Sequence, residues 1–149
     1  IKVFLAFFLF VNLIGCTVNN NKQETKCESI PTTKKASENG WPLMKTLFFE
    51  YPEDEIAWGI EDEYLFGEQL LVAPLFKENQ TSRKVYLPKG TWVNYFDKNE
   101  EFSGGQYHFI ESKELPIIVL VKKGAKIKHV PVADCVRDID WNSCTEIEY

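Results

Sequence analysis

The segment Ala57-Trp58-Gly59-Ile60-Glu61-Asp62-Glu63-Tyr64-Leu65-Phe66-Gly67-Glu68-Gln69-Leu70-Leu71-Val72-Ala73-Pro74-Leu75-Phe76 decides how the chain is read. Its first half is acidic and aromatic and closes on Gly67, the pattern of a short helix with a glycine stop. Its second half, from Leu70 to Phe76, is an apolar run of strand length, closed by Pro74 and the polar residues that follow. A switch from helical to extended period within one stretch marks a joint. Everything upstream reads as lead-in, and everything downstream as sheet.

Downstream of the joint, apolar segments alternate with turn signals. The candidate strands are Leu70–Leu75, Lys84–Leu87, Trp92–Phe96, Gln106–Ile110, Ile117–Val121 and Lys126–Val130. They are separated by Asn79 to Ser82, Pro88-Lys89-Gly90, Asp97 to Gly105, Glu111 to Glu114 and Lys122 to Gly124. Short strands at this spacing predict a mainly β fold, an antiparallel β-sandwich. Tyr86, Trp92, Tyr95, Phe102, Tyr107 and Phe109 are its expected aromatic packing, and Gly104-Gly105 is a hairpin or bulge signal. Composition agrees: 44% hydrophobic and 14% aromatic residues suit a folded, strand-rich chain. At 149 residues the chain is too short for a complete (β/α)8 barrel, which takes about 250. The net charge of −5, without a lysine-arginine cluster, argues against nucleic acid and anionic membrane surfaces as partners.

Upstream, Lys2 precedes the apolar run Val3 to Val11, followed by Asn12-Leu13-Ile14-Gly15-Cys16. That run falls short of the ~20 residues a spanning helix needs and has the length of a signal-peptide core. Leu13-Ile14-Gly15-Cys16 resembles the bacterial lipobox, in which the cysteine thiol takes a diacylglycerol. The expectation is a lipid anchor on Cys16 and a bacterial cell-envelope location, periplasmic or at the outer membrane. The alternative is an uncleaved anchor or an ordinary buried cysteine. Residues 17–35 are rich in Asn, Lys, Thr, Glu and Ser, the composition of a polar tether. Residues 34–39 read as a last helical turn capped by Gly40. Leu43 to Tyr51 reads as an extended apolar run, buried on both faces or exposed as a sticky edge.

Asn39-Gly40-Trp41-Pro42-Leu43-Met44-Lys45-Thr46-Leu47-Phe48-Phe49-Glu50-Tyr51-Pro52, together with the 57–76 segment, resembles the end of the catalytic domain in glycoside hydrolase family 31. The similarity continues through Arg83 to Trp92, Gly104-Gly105, Leu115-Pro116-Ile117 and Gly124-Ala125, and spans roughly residues 36–129. The family contains α-glucosidases and α-xylosidases. The resemblance implies a terminal barrel segment over 36–68, with 43–51 as the last barrel strand. It also implies a proximal C-terminal β-domain over 69–133 and the start of a further segment over 134–149. The hairpin between Pro116 and Gly124 is longer than the family's usual one, which leaves its register open.

Retaining glycosidases use two carboxyl groups about 5 Å apart. Glu50, Glu53, Asp54, Glu55, Glu61, Asp62 and Glu63 are the acidic residues at hand, but the family's catalytic aspartates lie on earlier barrel strands. The resemblance therefore implies no catalytic, cofactor-binding or metal residue here. The acidic residues read as solvated or helix-capping surface, with Asp62 a family motif residue of structural role. They lack EF-hand spacing, and His108 and His129, without nearby cysteines, do not make a zinc site. Cys135 and Cys144 either bridge, leaving Cys27 unpaired, or stay free thiols. Asn79-Gln80-Thr81 is a sequon that carries no meaning in a bacterium.

The expected function is thus a piece of a family 31 α-glycosidase, inactive by itself and without a cofactor. Its partners are carbohydrate in the parent enzyme, the membrane through Cys16, and the remainder of the barrel. The alternative is a membrane-tethered sandwich that binds glycan or protein without catalysis.

Overall fold

The computed structural model describes residues 36–113, 115–140 and 142–149. The predicted lipobox with Cys16, the predicted polar tether and Cys27 lie outside them. The chain divides into two compact units, one of Pro42–Ala125 with Tyr149, the other ending at Trp41 and resuming over Lys126–Glu148.

The larger unit is an antiparallel sandwich. One layer has strand order β1-β2-β3-β8-β5-β6, the other is the pair β4–β7. These are β1 Met44–Lys45, β2 Tyr64–Phe66, β3 Leu70–Pro74, β4 Ser82–Leu87, β5 Thr91–Asn94, β6 Glu101–Ser103, β7 Gln106–Glu111 and β8 Ile117–Lys122. The central pair β3–β8 explains the uninterrupted apolar run. Leu71 and Ala73 face the sandwich interior beside Leu120 and Ile118, while Leu70 and Val72 lie on the opposite face beside Val121 and Val119. All eight are buried, so neither face asks for polar residues. Val85, Leu87 and Ile110 close the core from the second layer, with Trp92 beneath them. Each fully buried side chain of this size contributes about 1.5–3 kcal/mol over its exposed state.

Two predicted elements take a different form. The stretch 57–67 is not a helix: a 3-10 turn, Ala57–Gly59, is followed by strand β2. Gly67, at φ +67°, opens the β2–β3 hairpin and donates its N–H to the Leu43 carbonyl at 2.8 Å. A left-handed glycine serves a helix stop and a tight hairpin equally, and the strand-forming Tyr64-Leu65-Phe66 decides between them. Nor is 43–51 a single extended run. It is the two-residue β1, paired with β2, and a helical turn, Leu47–Glu50. The turn buries Leu47 completely and leaves Phe49 exposed, while Phe48 stacks on Trp58 at 4.9 Å between centroids.

In the other unit, residues 36–39 form the expected helical turn, with Gly40 at φ +67° donating to the Ala36 carbonyl. Strand β9, Lys126–His129, pairs with β10, Thr145–Glu148, in the register Ile127↔Ile147. The segment from Pro116 to Gly124 is consequently no β8–β9 hairpin, since β8 pairs with β3 and β5 instead. Cys135 carries a free thiol beside the Asp138 carboxylate at 3.0 Å. Cys144 is disulfide-bonded, so the bridge is not Cys135–Cys144.

Candidate functional site

The chemistry-bearing residues of the larger unit gather where the acidic 50–63 segment meets β4. Period-2 alternation in β2 and β4 turns Leu65, Arg83, Val85 and Leu87 inward. Glu63, two residues before Leu65, is turned inward with them and is 4% exposed. Its Oε1 accepts the Tyr86 backbone N–H at 2.9 Å. Arg83, 7% exposed, donates from Nη1 to the carbonyls of Asp62 at 3.0 Å and Pro74 at 2.9 Å. Its Nη2 contacts the Asp62 carboxylate and lies 3.5 Å from Glu63 Oε1. One guanidinium thus fastens the start of β2 and the end of β3, in the large sheet, to β4 in the other.

The remaining acids have their own places. Asp54 accepts the Tyr86 hydroxyl at 2.6 Å and the Ile56 N–H at 3.1 Å, which pins the 52–58 loop over β4. Burial, then the bond to Asp54, raise the Tyr86 pKa. Glu50 pairs with Lys45 at 3.0 Å, and that lysine is itself buried. Glu53, Glu55 and Glu61 are exposed. Burial, aided by the charge of Asp62 and opposed by the Tyr86 N–H and Arg83, pushes Glu63 up to about 7. His108 lies edge-on to Phe102 with Nε2 2.7 Å from the Ser103 carbonyl, and His129 ends β9. Among the described residues no group of three or more His, Cys, Asp or Glu can hold a metal ion.

Sequence reasoning singled out Asp62 but missed Glu63, the buried member of the same acidic triplet. The signal was available in the alternation of Glu63, Leu65 and Gly67, once 64–66 is read as strand. Met44, Phe49, Ile56 and Trp58, from the same stretch of chain, are exposed apolar side chains.

Of these acids, Glu50, Asp54, Asp62 and Glu63 are engaged by Lys45, Tyr86 and Arg83. Residues 40–127 match the family model for the glycosyl hydrolase family 31 C-terminal domain, and the chain belongs to glycoside hydrolase family 31. It is 42% identical over 93 residues to alpha-glucosidase 2 of Bacillus thermoamyloliquefaciens, covering 62% of this chain and 12% of that enzyme. A GH31 dextranase of Flavobacterium johnsoniae, in its glucose complex, superposes with a TM-score of 0.64 at 33% identity, over 68% of this chain and 12% of that one. A GH31 alpha-xylosidase from a soil metagenome, in complex with xylose, does so with a TM-score of 0.59 at 38% identity, over 63% and 14%. The chain thus spans about an eighth of the length of these relatives.

Proposed function

We propose that residues 40–127 form the C-terminal β-domain that braces the catalytic barrel of a retaining α-glycosidase acting on α-glucosides or α-xylosides. The nucleophile and acid/base belong, on this reading, to barrel residues outside the matched region. The observation that carries it is the engagement of the acids here: Glu50 with Lys45, Asp54 with Tyr86, Asp62 and Glu63 with Arg83. Double displacement needs two carboxyls about 5 Å apart facing a sugar, and carboxyls spent on internal braces do not supply them. Met44, Phe49, Ile56 and Trp58 offer an apolar face for the barrel. The purified 149-residue chain should leave a chromogenic α-glucoside and α-xyloside intact. Hydrolysis abolished by substituting Asp62 or Glu53 would overturn the proposal.

The chain is also proposed to be anchored in a bacterial envelope through Cys16. The apolar run that ends on Leu13-Ile14-Gly15-Cys16 supports that reading. Expressed with its leader in bacteria fed a radiolabelled fatty acid, the chain should carry label in the membrane fraction, and Cys16→Ala should lose both label and membrane association. Equal labelling of that variant would remove the anchor.

A second reading, non-catalytic glycan binding, draws on Tyr107 and Phe109, which stand exposed two residues apart on β7, with Lys84 Nζ 4.1 Å from the Tyr107 ring centre. Aromatic faces suit sugar rings. Unretarded migration through glucan-containing affinity gels would exclude it.

A further inference from the structure

Among the described residues, Glu63 Oε2 is the buried side-chain oxygen that has no hydrogen-bond partner. The Glu63 side chain is 1% exposed. Its other oxygen is held by the Tyr86 N–H. The charge around it is already settled: Arg83 Nη2 contacts the carboxylate of Asp62, whose side chain is 55% exposed and well solvated. The groups that face the site are therefore Arg83 and Tyr86 from β4 and Asp62 from its own segment. The Tyr86 hydroxyl is engaged by Asp54. One cation is shared by two carboxyls, and it stands closer to the outer one. An ionised Glu63 is surplus charge in a dry place, whereas a neutral acid fits there.

We propose that Glu63 is a pH-sensitive latch between the two layers of the sandwich, seated against β4 as a neutral acid and loosened when it loses its proton. The seam it holds is the one between the start of β2 and Tyr86. The pKa of about 7 set by its burial agrees with that geometry. An unfolded glutamate ionises near 4.5, so between the two values the folded chain retains a proton that the unfolded chain has released. Stability is then fully present below 4.5, falls as pH rises towards 7, and levels off above. Each pH unit within the window changes the unfolding equilibrium by at most about tenfold.

The test is a titration of the full chain with 13C-labelled glutamate, alongside thermal unfolding from pH 4.5 to 8. One carboxyl should titrate near pH 7, vanish from the spectrum of Glu63→Gln, and coincide with a fall in Tm that the variant lacks. A Glu63 carboxyl titrating with the ordinary glutamates would overturn the latch. So would a Glu63→Gln variant that keeps the whole fall. If that variant does not fold, the resonance is assigned by through-bond correlation in the unmodified chain, and its midpoint decides.

Discussion

Replacing Gly104 by alanine is expected to cost about 3 kcal/mol or more, and to lower Tm by ~10 °C, because the new methyl has nowhere to go. Gly104 lies between β6 and β7, where the chain leaves one layer of the sandwich for the other. A Cβ there would sit 1.9 Å from the Pro88 carbonyl oxygen and 2.9 Å from both the nitrogen and the carbonyl oxygen of Gly90. All three are backbone atoms, so no side chain can swing aside. The Gly104 N–H donates to Gly90 and the Gly105 N–H to Leu87, both at 2.7 Å. The Pro88 carbonyl also accepts the Trp92 indole N–H at 2.8 Å. Relief of the clash must pull the 87–90 turn away from the crossover and strand these groups, one of them on a fully buried tryptophan. Gly59→Ala is the control. Its Cβ meets nothing within 4 Å, and its effect should stay within about ±0.5 kcal/mol, the range of an unobstructed surface change. Urea unfolding of the two variants beside the parent chain checks both. A Gly104→Ala midpoint equal to that of Gly59→Ala would mean that the crossover relaxes freely.

The legible part of the fold is the part where apolar residues run without interruption. β3, β4, β5 and β8 are within two residues of their predicted bounds because burial of their side chains dictates sequence directly. β7 and β9, largely unburied, are within two residues of theirs because turn residues bracket them. β6 was hidden inside a polar break: of Glu101-Phe102-Ser103 only Phe102 packs against the core, and an edge strand with one apolar residue has no period to read. β10 is similar, its pairing resting on Ile147 opposite Ile127 while its neighbours are exposed. The 43–51 run misled for the opposite reason. It is apolar throughout, but pattern alone does not show that Leu47 turns inward while Phe48 turns to meet Trp58. The candidate site was half legible. Three consecutive acids look alike in a sequence, and only the strand that follows them places Glu63 inside and Asp62 outside. The free Cys135 and the bridged Cys144 lay beyond sequence altogether, because spacing does not choose among cysteine partners.

That placement makes Arg83 the residue whose loss should be felt most widely. Arg83→Ala removes donors from the buried side of the Asp62 and Pro74 carbonyls, the counter-charge from Asp62 and Glu63, and a cation lying 5.7 Å from the centre of the Phe76 ring. Each buried group left without its hydrogen bond costs about 1–3 kcal/mol, and the two carbonyls are such groups. Lysine is a poor rescue: it carries the charge, but a single ammonium does not span two backbone carbonyls and a carboxylate set apart by the fork of a guanidinium. Arg83 also holds the Glu63 carboxyl below the pKa that burial alone would give, so without it Glu63 stays protonated to higher pH. The Arg83→Ala defect should therefore deepen from pH 5 to pH 8, as the parent loses its proton near neutrality and uses the guanidinium fully, while the variant must keep the acid neutral or bury a bare carboxylate. A double-mutant cycle with Glu63→Gln isolates this dependence. In the Glu63→Gln background the cost of removing Arg83 should be smaller and nearly the same at both pH values, leaving the two carbonyls and Asp62 as the remainder. A cost unchanged by that background would mean that Arg83 braces the sheets through its carbonyl bonds alone, with Glu63 a bystander in the seam.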